Sequence, residues 1–188
     1  MIKAGSIEKG TALLIKGEPF VVTEREFMNP GKGSAFVRMK LKSPATGQVL
    51  RETMKTQDNV EDITVDEIDC QFLYKDSEAY HFMDQETYEQ FEVPISGFEE
   101  YQDLMKEGDT AYKVIMYEQR PLDIKLPYKM VYEVAEAEEA VKGDTVTGAT
   151  KTVITETGLK VKVPIFIKQG ERIMVNTETR EYVERVNQ

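Results

Sequence analysis

Hydrophobic and polar residues alternate along most of this chain. Over residues 34–42, Val37, Met39 and Leu41 fall on one side and Arg38, Lys40 and Lys42 on the other, the period-two pattern of a strand with one buried face. Residues 11–15 and 19–27 are β-rich and separated by the turn Lys16-Gly17, and Pro44-Ala45-Thr46-Gly47 leads into a further strand at 48–54. These segments predict a small antiparallel barrel of roughly 60 residues.

A second β unit follows. Residues 70–74 and 79–83 flank the hairpin turn Lys75-Asp76-Ser77-Glu78, and 110–117 and 122–126 are further strands, broken at Arg120-Pro121. Residues 98–106 form the one helix candidate, with Phe98, Tyr101, Leu104 and Met105 at helical spacing and Gly108 as a stop. A third β unit takes in 129–135, 152–155, 160–163, 172–175 and 181–186, with 136–148 as a polar loop. Five short strands per unit suit an oligonucleotide/oligosaccharide-binding barrel, a fold shared by many functions. The predicted division is 1–64, 65–128 and 129–188. The short gap near Pro127 predicts that the second and third units pack against each other.

Composition narrows the class. The chain has 188 residues, 40% apolar and 31% charged, with a formal net charge of −10. The whole-chain charge disfavours nucleic-acid binding, but its distribution matters more. Residues 1–64 carry a net +2, 65–128 a net −11 and 129–188 a net −1. Around the first unit's hairpin, Arg25, Lys32, Arg38, Lys40, Lys42, Arg51 and Lys55 face only Glu26 and Glu52. A chain segregated by sign in this way can dock on RNA through one end. No apolar run follows Met1-Ile2-Lys3-Ala4-Gly5, which predicts no signal peptide, and no run is long enough to span a membrane. Cys70 is the only cysteine, which excludes an internal disulfide and fits a reducing, cytoplasmic compartment.

The candidate chemistry is sparse. His81 is the only histidine, sits between Tyr80 and Phe82, and reads as structural or surface. Cys70 has no second thiol and reads as packing. No spacing resembles a metal site, and no cofactor is implied. The most distinctive local feature is Pro30-Gly31-Lys32-Gly33-Ser34 between two strands. Glycines supply the positive φ of a tight turn, and proline stiffens the approach. One amine is thereby held at the end of a stiff arm; a hairpin-tip lysine that is merely solvated is the plain alternative. A phosphate-loop reading fails, because Glu26 stands where that motif needs its first glycine and Gly33 where it needs Ser or Thr. The Gly143-Asp144-Thr145-Val146-Thr147-Gly148 segment suits either close contact with a partner backbone or an ordinary connection.

Several blocks in one order resemble bacterial elongation factor P along the full length. They are Pro30-Gly31-Lys32-Gly33-Ser34-Ala35-Phe36-Val37-Arg38, Phe82-Met83-Asp84 with Glu86-Thr87-Tyr88-Glu89, Val141-Lys142-Gly143-Asp144-Thr145, Glu156-Thr157-Gly158 with Val163-Pro164, and Gln169-Gly170-Glu171-Arg172-Ile173. The chain departs from the family at Val153, usually alanine, and at Tyr182-Val183-Glu184-Arg185, where the family ends Tyr-Leu-Gly-Arg.

The resemblance implies three β-barrel domains in an L-shaped arrangement, the second and third oligonucleotide/oligosaccharide-binding-like. It implies a monomeric cytoplasmic factor, without enzyme activity, that binds both ribosomal subunits between the peptidyl and exit sites and relieves stalling on consecutive prolines. Lys32 would reach toward the acceptor end of the peptidyl-tRNA, extended by a lysine-modifying enzyme. Arg38, Lys40 and Lys42 would contact phosphates, Gly143, Asp144 and Thr145 would face the small subunit, and Tyr182 and Arg185 match terminal residues important in relatives. Two other classes stand beside this: a generic oligonucleotide-binding module, and an enzyme using Lys32 as a Schiff-base amine. A divergent paralogue with a narrower role is the alternative within the family.

Overall fold

In a computed structural model, which describes residues 1–138 and 149–187, alternation translates directly into burial. The first unit contains β1 (Ile2–Lys3), β2 (Ala12–Ile15), β3 (Glu18–Met28), β4 (Phe36–Lys42), β5 (Val49–Lys55) and β6 (Asn59–Val60). β2 to β5 form a four-stranded antiparallel sheet in chain order, and β1 pairs with β6. Lys16 and Gly17, at φ 53° and 81°, make the two-residue turn between β2 and β3. Val37, Met39 and Leu41 are buried against Ile7, Leu13 and Val22, as the period-two pattern predicts.

The second unit holds β7 (Asp66–Lys75), β8 (Ala79–Asp84), β9 (Gln90–Pro94), β10 (Tyr112–Tyr117) and β11 (Arg120–Lys125). The third holds β12 (Lys129–Ala137), β13 (Thr150–Thr155), β14 (Lys160–Pro164), β15 (Arg172–Asn176) and β16 (Glu181–Val186). Their strand orders, β11-β10-β7-β8-β9 and β14-β13-β12-β15-β16, are the same arrangement: the first strand of each unit lies centrally between its second and fourth. In the third unit β14 and β16 meet and the sheet curls toward closure.

Three local expectations give way. Residues 98–106 are not an α-helix: a 3₁₀ turn at Glu99–Tyr101 is followed by further turns. Phe98, Tyr101 and Leu104 are spaced by three, the residues per turn of a 3₁₀ helix, so the burial pattern is right and the pitch is not. The second hairpin turns on Glu118 and Gln119, at φ 47° and 66°, and not at Arg120-Pro121. Pro121 instead sits within the edge strand β11, beside a bulge at Ile115 and Met116, a position where a missing N–H is tolerated. The polar segment predicted at 136–148 is shortened at its start, since β12 runs to Ala137, and Gly143, Asp144 and Thr145 lie outside the described residues.

The second and third units share one core. Phe72, Tyr80, Phe82 and Tyr112 from one and Tyr132, Val153, Val161 and Ile173 from the other belong to a single apolar cluster. Polar groups at this junction are partnered: the Tyr132 hydroxyl donates to the Leu104 carbonyl at 2.6 Å, the Thr157 hydroxyl to the Asp103 carbonyl at 2.6 Å, and the Lys106 ammonium to the Val131 carbonyl at 3.1 Å. Arg180 reaches both Asp103 carboxylate oxygens, at 3.0 and 2.8 Å. The first unit joins through less: Ala12 and Val21 meet Ile115 and Leu122, Lys42 pairs with Glu100 at 3.5 Å, and Lys9 pairs with Glu178. Gly97, at φ 92°, lies so close to the Pro44 carbonyl that a Cβ would stand 2.7 Å from its oxygen.

Tyr132→Phe removes one oxygen and leaves the buried Leu104 carbonyl without its donor. Urea unfolding is expected to show a loss of about 1–3 kcal/mol, and an unchanged midpoint would mean that this bond does not hold the junction.

Candidate nucleic-acid interface

β3 and β4 make the arm. They pair from Val21↔Lys42 to Met28↔Phe36, with one bulge between Val22 and Glu24. The tip is a seven-residue loop over 29–35, wider than the tight turn the Gly-Lys-Gly string suggests. Gly33 alone takes a positive φ, 105°, and Gly31 does not, so only one of the two glycines is required by backbone geometry. Pro30, Gly31, Lys32, Gly33 and Ser34 are all exposed. Among the described residues nothing forms a hydrogen bond or ion pair with the Lys32 ammonium.

The cations on the arm differ from one another. Arg38 lays its guanidinium over the Phe36 ring at 5.6 Å, which fixes a planar donor group while leaving it exposed. Lys40 is held by Glu24 at 3.1 Å, and Lys42 by Glu100 of the second unit at 3.5 Å. Among the described residues the hairpin's Lys32 and Arg38 are therefore exposed cations without an acidic partner, Lys40 and Lys42 are ion-paired, and Arg25 donates to the Gly5 carbonyl at 2.9 Å. Sequence spacing cannot show this, because Glu24 and Glu100 reach their lysines only through strand pairing and domain packing.

Tyr182 and Arg185 stand on β16 in the third unit, apart from the hairpin. Tyr182 is partly buried against the shared core. Arg185 pairs with Glu171 at 3.4 Å and lies over the Phe166 ring at 5.4 Å. Val153 is fully buried, so the position that departs from the family pattern is a core position, and Glu184 is exposed.

The remaining titratable candidates are occupied by structure. Cys70 is buried, its thiol directed at the Tyr112 carbonyl, and burial pushes its pKa up to about 12, far from a reactive thiolate. His81 hydrogen-bonds Asp76 at 2.6 Å and stacks on Tyr74 with ring centroids 4.2 Å apart. Among the described residues no group of three or more His, Cys, Asp or Glu is placed to hold a metal. A cleft of ≈ 670 Å³ lies where the three units meet, lined by both signs of charge, including Lys42, Glu100, Glu178 and Arg180. Lys42 and Glu100 pair with each other there, so the cleft is a junction more than a binding pocket.

Known proteins carry the same three units in the same order. The family model described as the elongation factor P KOW-like domain matches residues 3–60, the elongation factor P OB domain matches 65–124, and the elongation factor P C-terminal model matches 130–185. The chain is 52% identical to elongation factor P of Treponema denticola over 187 residues, covering 100% of both chains. It is 53% identical to that of Treponema pallidum strain Nichols over 190 residues, again covering 100% of both. Among solved structures, eukaryotic translation initiation factor 5A from Methanococcus jannaschii aligns with a TM-score of 0.46 at 25% identity, covering 66% of this chain and 91% of that one.

The Asp76–His81 contact has a pH signature. The hydrogen bond from His81 is the first cause holding the Asp76 carboxyl down to about 2, with the Glu78 and Ala79 backbone N–H groups adding to it. A depressed carboxylate contributes stability that is present above about 3.9 and lost as pH falls through about 2. In His81→Phe, which keeps a ring to stack on Tyr74 and removes the side-chain donor, a carboxyl-carbon NMR titration is expected to show the Asp76 midpoint rising while staying below about 3.9, because the backbone donors remain. An unmoved midpoint would place the depression on the backbone alone.

Proposed function

The chain belongs to the elongation factor P family of translation elongation factors, and we propose that it acts at the ribosome by positioning reactants, with Lys32 as the positioning group. One observation carries this reading: the Lys32 ammonium stands exposed at the end of a paired, two-stranded arm, with no internal partner among the described residues. Schiff-base lysines work desolvated, whereas this one is held out in solvent, which supports placement over nucleophilic chemistry.

Proline fixes φ and so constrains the geometry of attack in peptide transfer. A factor that holds the peptidyl-tRNA near the attack geometry accelerates the reaction without supplying an acid or a base. Orientation of this kind lowers barriers by up to about 7–11 kcal/mol in ideal systems. In this reading the factor binds between the peptidyl and exit sites and serves sequences such as consecutive prolines. Lys32, extended by a modifying enzyme, reaches the acceptor end of the peptidyl-tRNA, while Pro30, Gly31, Gly33 and Ser34 shape the loop that carries it. Arg38, Lys40 and Lys42 lie along the arm that faces the tRNA backbone. Gly143, Asp144 and Thr145 face the small subunit, and Tyr182 and Arg185 make further contacts from the third unit. The protein works as a cytoplasmic monomer and has no active site of its own. Among the described residues no helix is long and apolar enough to cross a membrane.

Lys32→Gln, which removes the charge and shortens the side chain by one bond, is expected to abolish most of the protein's effect on a reporter containing consecutive prolines while leaving a proline-free reporter unchanged. Equal output from both forms would remove Lys32 from the mechanism. Intact mass of the protein from its native host is expected to exceed 21.5 kDa by one aminoacyl-sized group. An unshifted mass would remove the modification and leave the positioning role standing.

A further inference from the structure

We infer that the RNA-contacting face of the first unit extends onto β5, with Arg51 and Lys55 joining Arg38 as its phosphate-binding cations, and that Lys40 serves mainly the protein's own frame. This rests on the ribosomal reading above and refines which side chains make the contact.

The register places them. Across β4 and β5 the pairs are Phe36↔Lys55, Arg38↔Thr53, Lys40↔Arg51 and Lys42↔Val49. Val37, Met39 and Leu41 are buried, and Leu50 and Met54 pack on the same core, so the alternate positions of both strands share the outer face. That outer face carries Arg38, Lys40, Lys42, Arg51 and Lys55 and no acid from either strand. Glu52, the one acidic residue of β5, alternates to the other side. The acids of the outer face lie on β3, where Glu24 is opposite Lys40 and Glu26 opposite Arg38. The sheet is therefore split into an acidic margin on β3 and a basic half on β4 and β5.

Availability then separates the cations. Lys40 is bonded to Glu24, and Lys42, with only 26% of its side chain exposed, is paired with Glu100 across the domain junction. Arg51 and Lys55 are exposed, and among the described residues neither side chain has an ion-pair partner. The Asp58 carboxylate near Lys55 is engaged by the Lys55 backbone N–H at 3.0 Å. Lys55 sits on the last rung before the loop, opposite Phe36, which itself pairs with Met28. Arg51 lies four residues further along, about 13 Å down the strand. Together with Lys32 and Arg38 they form a row leading from the tip along the sheet, and a row of exposed cations of this kind fits the phosphodiester backbone of one RNA strand.

The test is equilibrium binding to 70S ribosomes carrying peptidyl-tRNA in the peptidyl site, measured as a function of potassium chloride for wild type, R51Q/K55Q, R51K/K55R and K40Q. Each phosphate contact contributes about 0.7–0.9 to the slope of log affinity against log salt. R51Q/K55Q is therefore expected to lower that slope by about 1.4–1.8 and to bind more weakly at moderate salt, while R51K/K55R keeps both and K40Q changes the slope by less than half as much. A wild-type slope and affinity in R51Q/K55Q would overturn the inference, and so would a larger loss in K40Q. Those results leave the ribosomal reading intact if Lys32→Gln still abolishes the proline effect. Absence of wild-type binding would overturn both.

Discussion

The Tyr132 hydroxyl donates to the Leu104 carbonyl across the junction of the second and third sheets, 2.6 Å away and out of reach of solvent. An unpaired carbonyl at that depth would be costly, and so would an unpaired hydroxyl. The bond therefore ties the two sheets to one relative placement, and the surrounding apolar cluster makes them one body. Thr157, Lys106 and Arg180 add polar contacts at the edges of the same seam. On this body the first unit is mounted through a smaller apolar contact and the ion pairs Lys42–Glu100 and Lys9–Glu178. The hairpin is the part of that unit that projects a charge.

The division of labour follows from charge as much as from packing. The second unit carries a net −11 and the first a net +2, with the basic residues gathered around the hairpin. That distribution repels polyanions from the middle of the molecule and, in the ribosomal reading, leaves the face of β4 and β5 to meet them. Positioning needs no perturbed acid or base, and Cys70 and His81 are committed elsewhere, Cys70 to the core and His81 to Asp76 and Tyr74.

Much of this was legible in the sequence because alternation is a local property. The strand Phe36–Lys42 buries the three residues its period predicts, and the turn at Lys16-Gly17 forms as written. Where the signal was short or ambiguous it failed. The two-residue strands β1 and β6 have no period to detect, and residues 98–106 carry a spacing of three that serves a 3₁₀ turn as well as a helix. At the candidate site the exposed lysine between two strands was legible, but the width of its loop was not, because only Gly33 takes the positive φ that the Gly-Lys-Gly string suggested for both glycines. The engagement of Lys40 by Glu24 and of Lys42 by Glu100 was not, because both pairings are made by three-dimensional structure. Arg51 and Lys55 were visible as charges but not as a face, since only the register of β4 with β5 sets them beside Arg38.

In the ribosomal reading Lys32 acts by where it is placed. The most direct measurement is the rate of a single peptide bond between a peptidyl-tRNA ending in proline and prolyl-tRNA, with the hairpin lengthened by two residues in each of β3 and β4. That insertion keeps the inward and outward alternation and every charge, and moves the amine outward by about 6–7 Å. Placement predicts that the lengthened protein still binds the ribosome and no longer accelerates the reaction. Full acceleration from the displaced lysine would contradict it.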